Sequence, residues 1–270
     1  MRIKKSIKVS LIHTRVWARG LFGRNHKLPG FIIAGVQKGG TSSLYYYLTQ
    51  HPNIANSLKK ETNYFDLYYE KGVRWYKGFF TAKTGSVMCG EATPSYFYHP
   101  DVPKRISETL TGVKVIILLR DPTERAFSHF KMEIRRGKEP VNDFFKALSL
   151  EKERLGISDS GHTRKSWERK RVFSYADRGL YSVQVNNWLE YFDRKQLLFL
   201  KSEEFFANPT GTLNTVCDFL GVSKYEPVNL KPRNVGAKTP VPKEAKKFLE
   251  DYYRQDLKEL KELLGPEFQW

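Results

Sequence analysis

The stretch "FIIAGVQKGGTSSLYYYL", Phe31–Leu48, decides the fold. It opens on a short apolar run, Phe31–Val36, of the kind that forms a strand buried on both faces of a parallel sheet. A glycine turn follows, and Thr41–Gln50 reads as a helix that stops near His51-Pro52. Strand, glycine turn and helix N-terminus together make an anion site, because backbone amides point outward and the helix dipole favours negative charge. Gly39 and Gly40 let the backbone approach an oxyanion, and Thr41, Ser42 and Ser43 add hydroxyls. The bland alternative is a tight strand-to-helix turn with ordinary capping. Gly35 and Gly40 have the spacing of a Walker A loop, GxxxxGK[ST], yet Thr41 stands where its lysine should be. The lysine is Lys38, ahead of both Gly39 and Gly40. That position sets an ammonium beside the last group of a ligand instead of wrapping it from the helix side.

Outward from this stretch the alternation continues. Ser86–Glu91, Val113–Leu119 and Gln196–Leu200 read as strands. Thr123–Arg136, Leu180–Phe192, Thr212–Leu220 and Lys243–Leu264 read as helices, the third ending at Gly221 as a C-cap. Strands alternating with helices predict an α/β protein with a central parallel β-sheet covered on both sides. With the glycine loop, this is a three-layer fold like that of P-loop NTPases. One domain over residues 30–270 is expected, preceded by a basic arm over residues 1–29. Residues 131–178 are rich in charge and poor in apolar periodicity, and the sheet does not require them. Two readings stand: an insertion over the sheet's carboxyl edge, where α/β ligands bind, or a solvated surface excursion.

The net charge of +17 and pI near 9.7 attract polyanions without choosing among nucleic acid, membrane, acidic polysaccharide or a phosphorylated small molecule. The first acid in the chain is Glu61, where an even spread of the acids would place about six before it. Cys89 and Cys217 lie in apolar surroundings and read as buried thiols, with no metal or disulfide pattern. No apolar run is long enough to span a bilayer. The arm carries eight Lys/Arg among residues 1–29. Its Ile3, Ile7 and Leu11 fit a basic amphipathic helix in peripheral contact with a membrane, whereas Gly20 and Gly23 break that pattern and favour a solvated arm. No Mg²⁺ ligand set stands out. Asp121 follows a strand as a Walker B acid does, but Asp-Pro more often begins a turn. A phosphate loop without metal points to a transferring group less charged than a γ-phosphate.

Several segments together resemble one family. "GVQKGGTSSLYYYLTQHPNI" (Gly35–Ile54) resembles the 5′-phosphosulfate loop of sulfotransferases that use 3′-phosphoadenosine 5′-phosphosulfate. "LLRDPTERAFSHF" (Leu118–Phe130) is similar to that family's 3′-phosphate motif. "KKETNYFD" (Lys59–Asp66), "GEATPSYFYHP" (Gly90–Pro100) and "RGLYSVQVNNWLEYF" (Arg178–Phe192) resemble the heparan sulfate N- and 3-O-sulfotransferase branch. The matches run in the family's order from about Phe31 to the C-terminus.

The resemblance implies in-line sulfuryl transfer from that donor to a hydroxyl or amine of a carbohydrate or small-molecule acceptor, releasing adenosine 3′,5′-bisphosphate without a metal. Charge spreads over the moving oxygens, so the site needs cations on the leaving side and a base on the attacking side. Glu61 is the implied base and Lys38 the cation on the bridging oxygen. Gly39, Gly40, Thr41, Ser42 and Ser43 would hold the 5′-phosphate. Arg120 and Ser128 would clamp the 3′-phosphate, for which an always-charged bidentate fork is suited. Arg125 reads as a surface helix charge before a supporting cation. Lys60 would orient the acceptor. Arg233 and Lys238, in "KPRNVGAKTP" (Lys231–Pro240), would cover the nucleotide.

The chain also departs from its relatives. The GxxGxxK element and histidine base of the cytosolic phenol and steroid branch are missing. Ala92 stands where many glucosaminyl members carry the lysine of "EKTP", which bears on the acceptor and not on the donor. Eukaryotic members of the branch resemble Golgi proteins with an N-terminal anchor; without a spanning run a cytoplasmic location is expected here. Two rivals remain in view: a Mg²⁺-dependent P-loop kinase, which the displaced Lys38 disfavours, and a nucleic-acid-binding module. For the latter only "RKSWERKRVFSY" (Arg164–Tyr175) interleaves bases with aromatics, so no nucleic acid is expected. The tyrosines Tyr45–Tyr47 point in different directions on a helix and read as packing. His129 reads as a structural histidine.

Overall fold

The computed structural model describes residues 14–21, 27–80, 88–156, 163–233 and 239–270. In chain order these form α1 (residues 14–21), β1 (Phe31–Gly35), α2 (Thr41–Leu48), β2 (Ile54–Ala55), α3 (Tyr64–Leu67), α4 (Gly72–Lys77), β3 (Met88–Ala92), α5 (Val102–Thr109) and β4 (Lys114–Leu119). Then come α6 (Pro122–Arg135), α7 (Phe144–Ser149), α8 (Glu151–Gly156), α9 (Arg164–Phe173), α10 (Tyr181–Leu189), β5 (Leu197–Lys201), α11 (Ser202–Ala207), α12 (Pro209–Leu220) and α13 (Lys243–Leu264).

The strands lie in the order β2-β3-β1-β4-β5, and every pairing is parallel. From β1 the chain builds β2 and β3 on one side, then crosses to β4 and β5 on the other. The strand order therefore switches at β1, the point where open α/β sheets bind ligands beyond the carboxyl ends. The alternation of side chains explains the three layers. Ile32, Ala34, Val115, Ile117 and Leu119 enter the core on one face of the sheet, with Trp188 and Leu260. Phe31, Ile33, Ile116 and Leu118 enter the core on the other, with Leu44, Leu213 and Val216. A strand buried on both faces must be apolar at every position, as β1 and β4 are.

Of the two readings of residues 131–178, the described parts, 131–156 and 163–178, do not fit a solvated excursion. Phe144, Ala147, Leu148, Tyr175 and Ala176 join Phe127 and Phe130 of α6 and Ala245, Leu249 and Tyr253 of α13 in a third buried cluster. These apolar residues come from one short helix, α7, and from the bend after α9, so no single window shows a period. Nor does Gly20 break the arm: residues 14–21 are helical and Val16 is fully buried. A Cβ on Gly20 would stand 2.2 Å from the Arg74 carbonyl, and one on Gly78 2.1 Å from that of Val16. The two glycines let α1 and the end of α4 approach backbone to backbone. Ile3, Ile7, Leu11 and Gly23 lie outside the described residues. Both cysteines are buried free thiols. Among the described residues, no helix is long and apolar enough to cross a membrane.

Candidate active site

The glycine loop leaves β1 at the switch point. The Val36 amide donates to Leu118 O of β4 (3.0 Å), and Gly39 N closes back on Val36 O (2.9 Å). Gly39 has no room for a side chain, since a Cβ would meet Leu118 O at 2.5 Å. Gly40 has φ 96° and caps α2, and among the described residues no side chain caps that N-terminus. Lys38 takes the left-handed region, at φ 75°. For a non-glycine this costs about 1–3 kcal/mol, a strain that collects at ligand clamps. From behind, Ser202 Oγ donates to Gly39 O (2.6 Å).

The electrostatics around Lys38 are one-sided. Burial pushes its ammonium down to about 8, and Arg135, Arg120, Arg136 and Lys131 add repulsion in that order. Such a cluster of cations awaits an anion. Arg120 follows β4; its Nη1 donates to Lys38 O (3.2 Å) and its Nη2 reaches Glu124 at 3.4 Å. Tyr181 Oη holds the Arg120 carbonyl (2.9 Å). Asp121 is spent as the cap of α6, accepting from Glu124 N (3.0 Å), while its own amide donates to Glu203. Its Asp-Pro step is thus a helix start. Among the described residues, no group of three or more His, Cys, Asp or Glu is placed to hold a metal. Ser128 is half-buried on α6.

The Glu61 segment is tied to the end of β3. Ala92 N donates to Lys60 O (2.9 Å). Glu91, fully buried, accepts from Thr62 Oγ1, Thr93 Oγ1 and Tyr76 Oη, each at 2.7 Å. Burial raises its pKa, and the hydrogen bonds pull the other way. Glu61 itself keeps 40% of its side chain exposed and pairs with Lys60 Nζ at 2.9 Å. Lys60 Nζ also donates to Ser42 Oγ (3.1 Å), so one ammonium bridges the acid and the glycine loop. The adjacent Lys59 has its pKa lowered, chiefly by burial.

Contacts join Arg120 to Lys38 at one end of the glycine loop and Glu61, through Lys60, to Ser42 at the other; Thr41 is buried. Ser43 is fully buried, and its Oγ accepts the Arg233 amide (2.9 Å), so this hydroxyl anchors the late loop. The Arg233 guanidinium stacks 3.7 Å from the centre of the Tyr46 ring. Tyr46 is therefore a platform, while Tyr45 and Tyr47 are packed as expected. Lys238 lies outside the described residues. Arg125 is not a surface charge: it is 0% exposed and donates to Tyr175 O. Its cover comes from Tyr175, far along the chain, which a helix-start motif does not reveal. His129 is a structural histidine; it is fully buried, and burial holds its pKa well below the usual value. The sequence also gave no signal for Gln37, whose Oε1 accepts from Arg178 Nη1 (2.8 Å), or for Arg171, whose Nη2 donates to Asn63 Oδ1 (3.2 Å). Both contacts span more than one hundred residues of chain.

A family model described as the sulfotransferase domain matches residues 28–234. The chain is 30% identical to the membrane-associated sulfotransferase kil1 of Dictyostelium discoideum, covering 90% of this chain and 66% of that protein. It is 33% identical to heparan sulfate glucosamine 3-O-sulfotransferase 3B1 of Homo sapiens, covering 73% of this chain and 47% of the relative. The chain thus spans between about half and two thirds of these curated relatives. Among solved structures, it is similar to a sulfotransferase from Alicyclobacillus acidocaldarius, with a TM-score of 0.73 and 27% identity over 88% of this chain and 96% of that one. On the match over residues 28–234, the chain belongs to the sulfotransferase domain family.

Proposed function

We propose that the protein transfers a sulfuryl group from 3′-phosphoadenosine 5′-phosphosulfate to a hydroxyl or amine of a carbohydrate. The observation that carries this reading is the bridge Glu61–Lys60–Ser42, which puts an exposed carboxylate at the mouth of an anion-binding loop. The loop fits the donor: Gly39, bare of side chain, lets the turn pack tightly against β4, α2 offers an N-terminus without a side-chain cap, and Lys38 stands in surplus positive charge. Glu61 takes the proton of the acceptor group as its oxygen or nitrogen bonds to sulfur. The bond from sulfur to the bridging oxygen of the nucleotide phosphate breaks, and Lys38 meets the charge left there. Arg120 and Ser128 hold the 3′-phosphate, Arg233 and Lys238 close over the nucleotide, and Lys60 orients the acceptor. No metal takes part in these steps. A carbohydrate acceptor is supported by the heparan sulfate glucosamine named for one relative. The Ala92 position marks where this acceptor differs. Residues 30–270 act as the catalytic domain, with an insertion within 131–178 at its active-site edge, a reading supported by the contact of Arg171 with Asn63. Peripheral membrane contact through residues 1–29 from the cytoplasmic side accords with the membrane association named for another relative.

Calorimetric titration with adenosine 3′,5′-bisphosphate, without Mg²⁺, tests the donor site. Binding that Glu61→Gln retains, together with a 10²–10⁴-fold loss of transfer in that variant, is the expected pair of results, with the factor of the order a general base supplies. No binding by folded wild type sinks the reading.

A further inference from the structure

Behind the glycine loop is a small cavity of about 10 Å³, lined by Val36, Gln37, Phe97, Tyr98, Arg125 and Arg178 among others. It has room for one occupant of roughly the size of a water molecule. Two guanidiniums face it, 0% and 3% exposed. Each donates its hydrogen bonds to neutral acceptors, and Arg178 also lies over the Tyr98 and Trp167 rings, 4.8 and 5.8 Å from their centres. Arg125 Nη2 donates to Tyr175 O, Arg178 Nε to Ser174 Oγ (2.8 Å) and Arg178 Nη1 to Gln37 Oε1 (2.8 Å). Among the described residues, Arg125 Nε and Nη1 and Arg178 Nη2 have no protein acceptor, and neither arginine makes an ion pair. The neighbouring acids do not bond either guanidinium. Asp66 Oδ2 accepts from Ser95 and Trp167 while its buried Oδ1 has no partner, Glu151 accepts from the Ala176 and Asp177 amides, and Asp177 from Tyr98 Oη.

Asp66 acts on Arg178 and Glu151 on Arg125 only through space. Two buried cations without a directly bonded counter-charge are costly, and an arginine does not shed its proton to escape as a lysine does. Burial pushes the Arg178 guanidinium down to about 9, with Arg125 among the like charges, which leaves it charged at neutral pH. What the cavity lacks is a group that accepts hydrogen bonds, donates none and carries negative charge. Its size excludes a phosphate or sulfate. We propose that the cavity is a binding site for a single-atom anion, a halide such as chloride, held by Arg125 Nε and Nη1 and Arg178 Nη2. The ion sits behind Gln37 and neutralises the arginine that grips it, so it sets the position of the catalytic loop without entering the reaction.

Crystals grown in sodium bromide test the site directly, because bromide scatters anomalously and water does not. An anomalous peak between the two guanidiniums is expected. In parallel, thermal unfolding is compared in sodium chloride, sodium bromide and sodium gluconate at equal ionic strength, with adenosine 3′,5′-bisphosphate or sulfate saturating the outer face of the loop. Wild type should melt about 3 °C or more higher in the halides, and Arg178→Met should lose that difference. Water density without an anomalous signal overturns the proposal. So does a peak accompanied by identical melting in all three salts, which marks an adventitious ion only. The wild-type measurements stand even if Arg178→Met fails to fold.

Discussion

Arg120 and Arg125 are five residues apart, on either side of the start of α6, and they lie in opposite surroundings. Arg120 is 28% exposed and shares a loose contact with Glu124, itself 47% exposed. Arg125 is sealed among Tyr175, Arg178 and the loop. A half-exposed fork exchanges a weak surface pair for a ligand at little cost, since such pairs contribute about 0–1 kcal/mol. A buried fork cannot exchange partners and instead fixes the chain segments it touches. In the proposed reaction the same residue type binds on one side of the loop, while on the other it serves architecture.

The sharpest way to break that contrast is to truncate both residues. Arg125→Ala removes a fully buried side chain and leaves the Tyr175 carbonyl without its donor. A loss of about 3 kcal/mol is expected, read by urea unfolding, with Arg125→Met recovering a good part because it refills the volume. The folded fraction should still bind adenosine 3′,5′-bisphosphate within a factor of about three, a change worth less than 1 kcal/mol. Arg120→Ala should do the reverse. Its stability changes by less than about 1 kcal/mol. Its bisphosphate affinity falls about 10- to 100-fold, the range for a lost charge-assisted contact. A variant pair with these effects exchanged would end the distinction.

Lys38 supplies the next test. Its ammonium has a pKa near 8 in the free protein, lowered first by burial. A bound phosphate restores the charged form, so the pKa rises on binding. Below about pH 8 the lysine is already protonated and affinity should be flat. Above it, binding must take up a proton, and affinity should fall by up to about tenfold per pH unit. Calorimetry at pH 9 in two buffers of different ionisation enthalpy reads the proton directly. Identical heats in both would place Lys38 away from the phosphate.

The same contrast explains how much was legible in the sequence. β1, β4, α6, α12 and α13 could be placed because each is a local pattern: an apolar run, an Asp-Pro start, a glycine stop, a regular stripe. The loop could be placed because its glycines are required by backbone geometry. β2 is only two residues long and has no pattern to read. Arg125 was misplaced because its burial is created by partners far along the chain, Tyr175 and Arg178. A charged residue on a helix says nothing of its own about whether another segment will cover it. Arg178, Gln37, Arg171 and Asn63 were missed for the same reason. The exposed half of the site follows local rules, whereas its buried half depends on tertiary contacts.

The smallest effect separates binding from architecture most finely. Glu124→Gln removes the acid that shares Arg120 but leaves the α6 cap intact, because Asp121 accepts from the Glu124 backbone amide and not from its side chain. If Arg120 is poised for exchange, releasing it should tighten bisphosphate binding by up to about fivefold, the upper end of what a surface pair is worth. Lys131, whose charge Glu124 also supports, works against a larger gain. Because both side chains are solvated, the gain should shrink as salt shortens the Debye length from about 10 Å at 0.1 M toward 3 Å at 1 M. A gain that persists at high salt would mean that Glu124 holds Arg120 in place as firmly as Tyr175 holds Arg125. The two arginines would then differ in exposure and not in role.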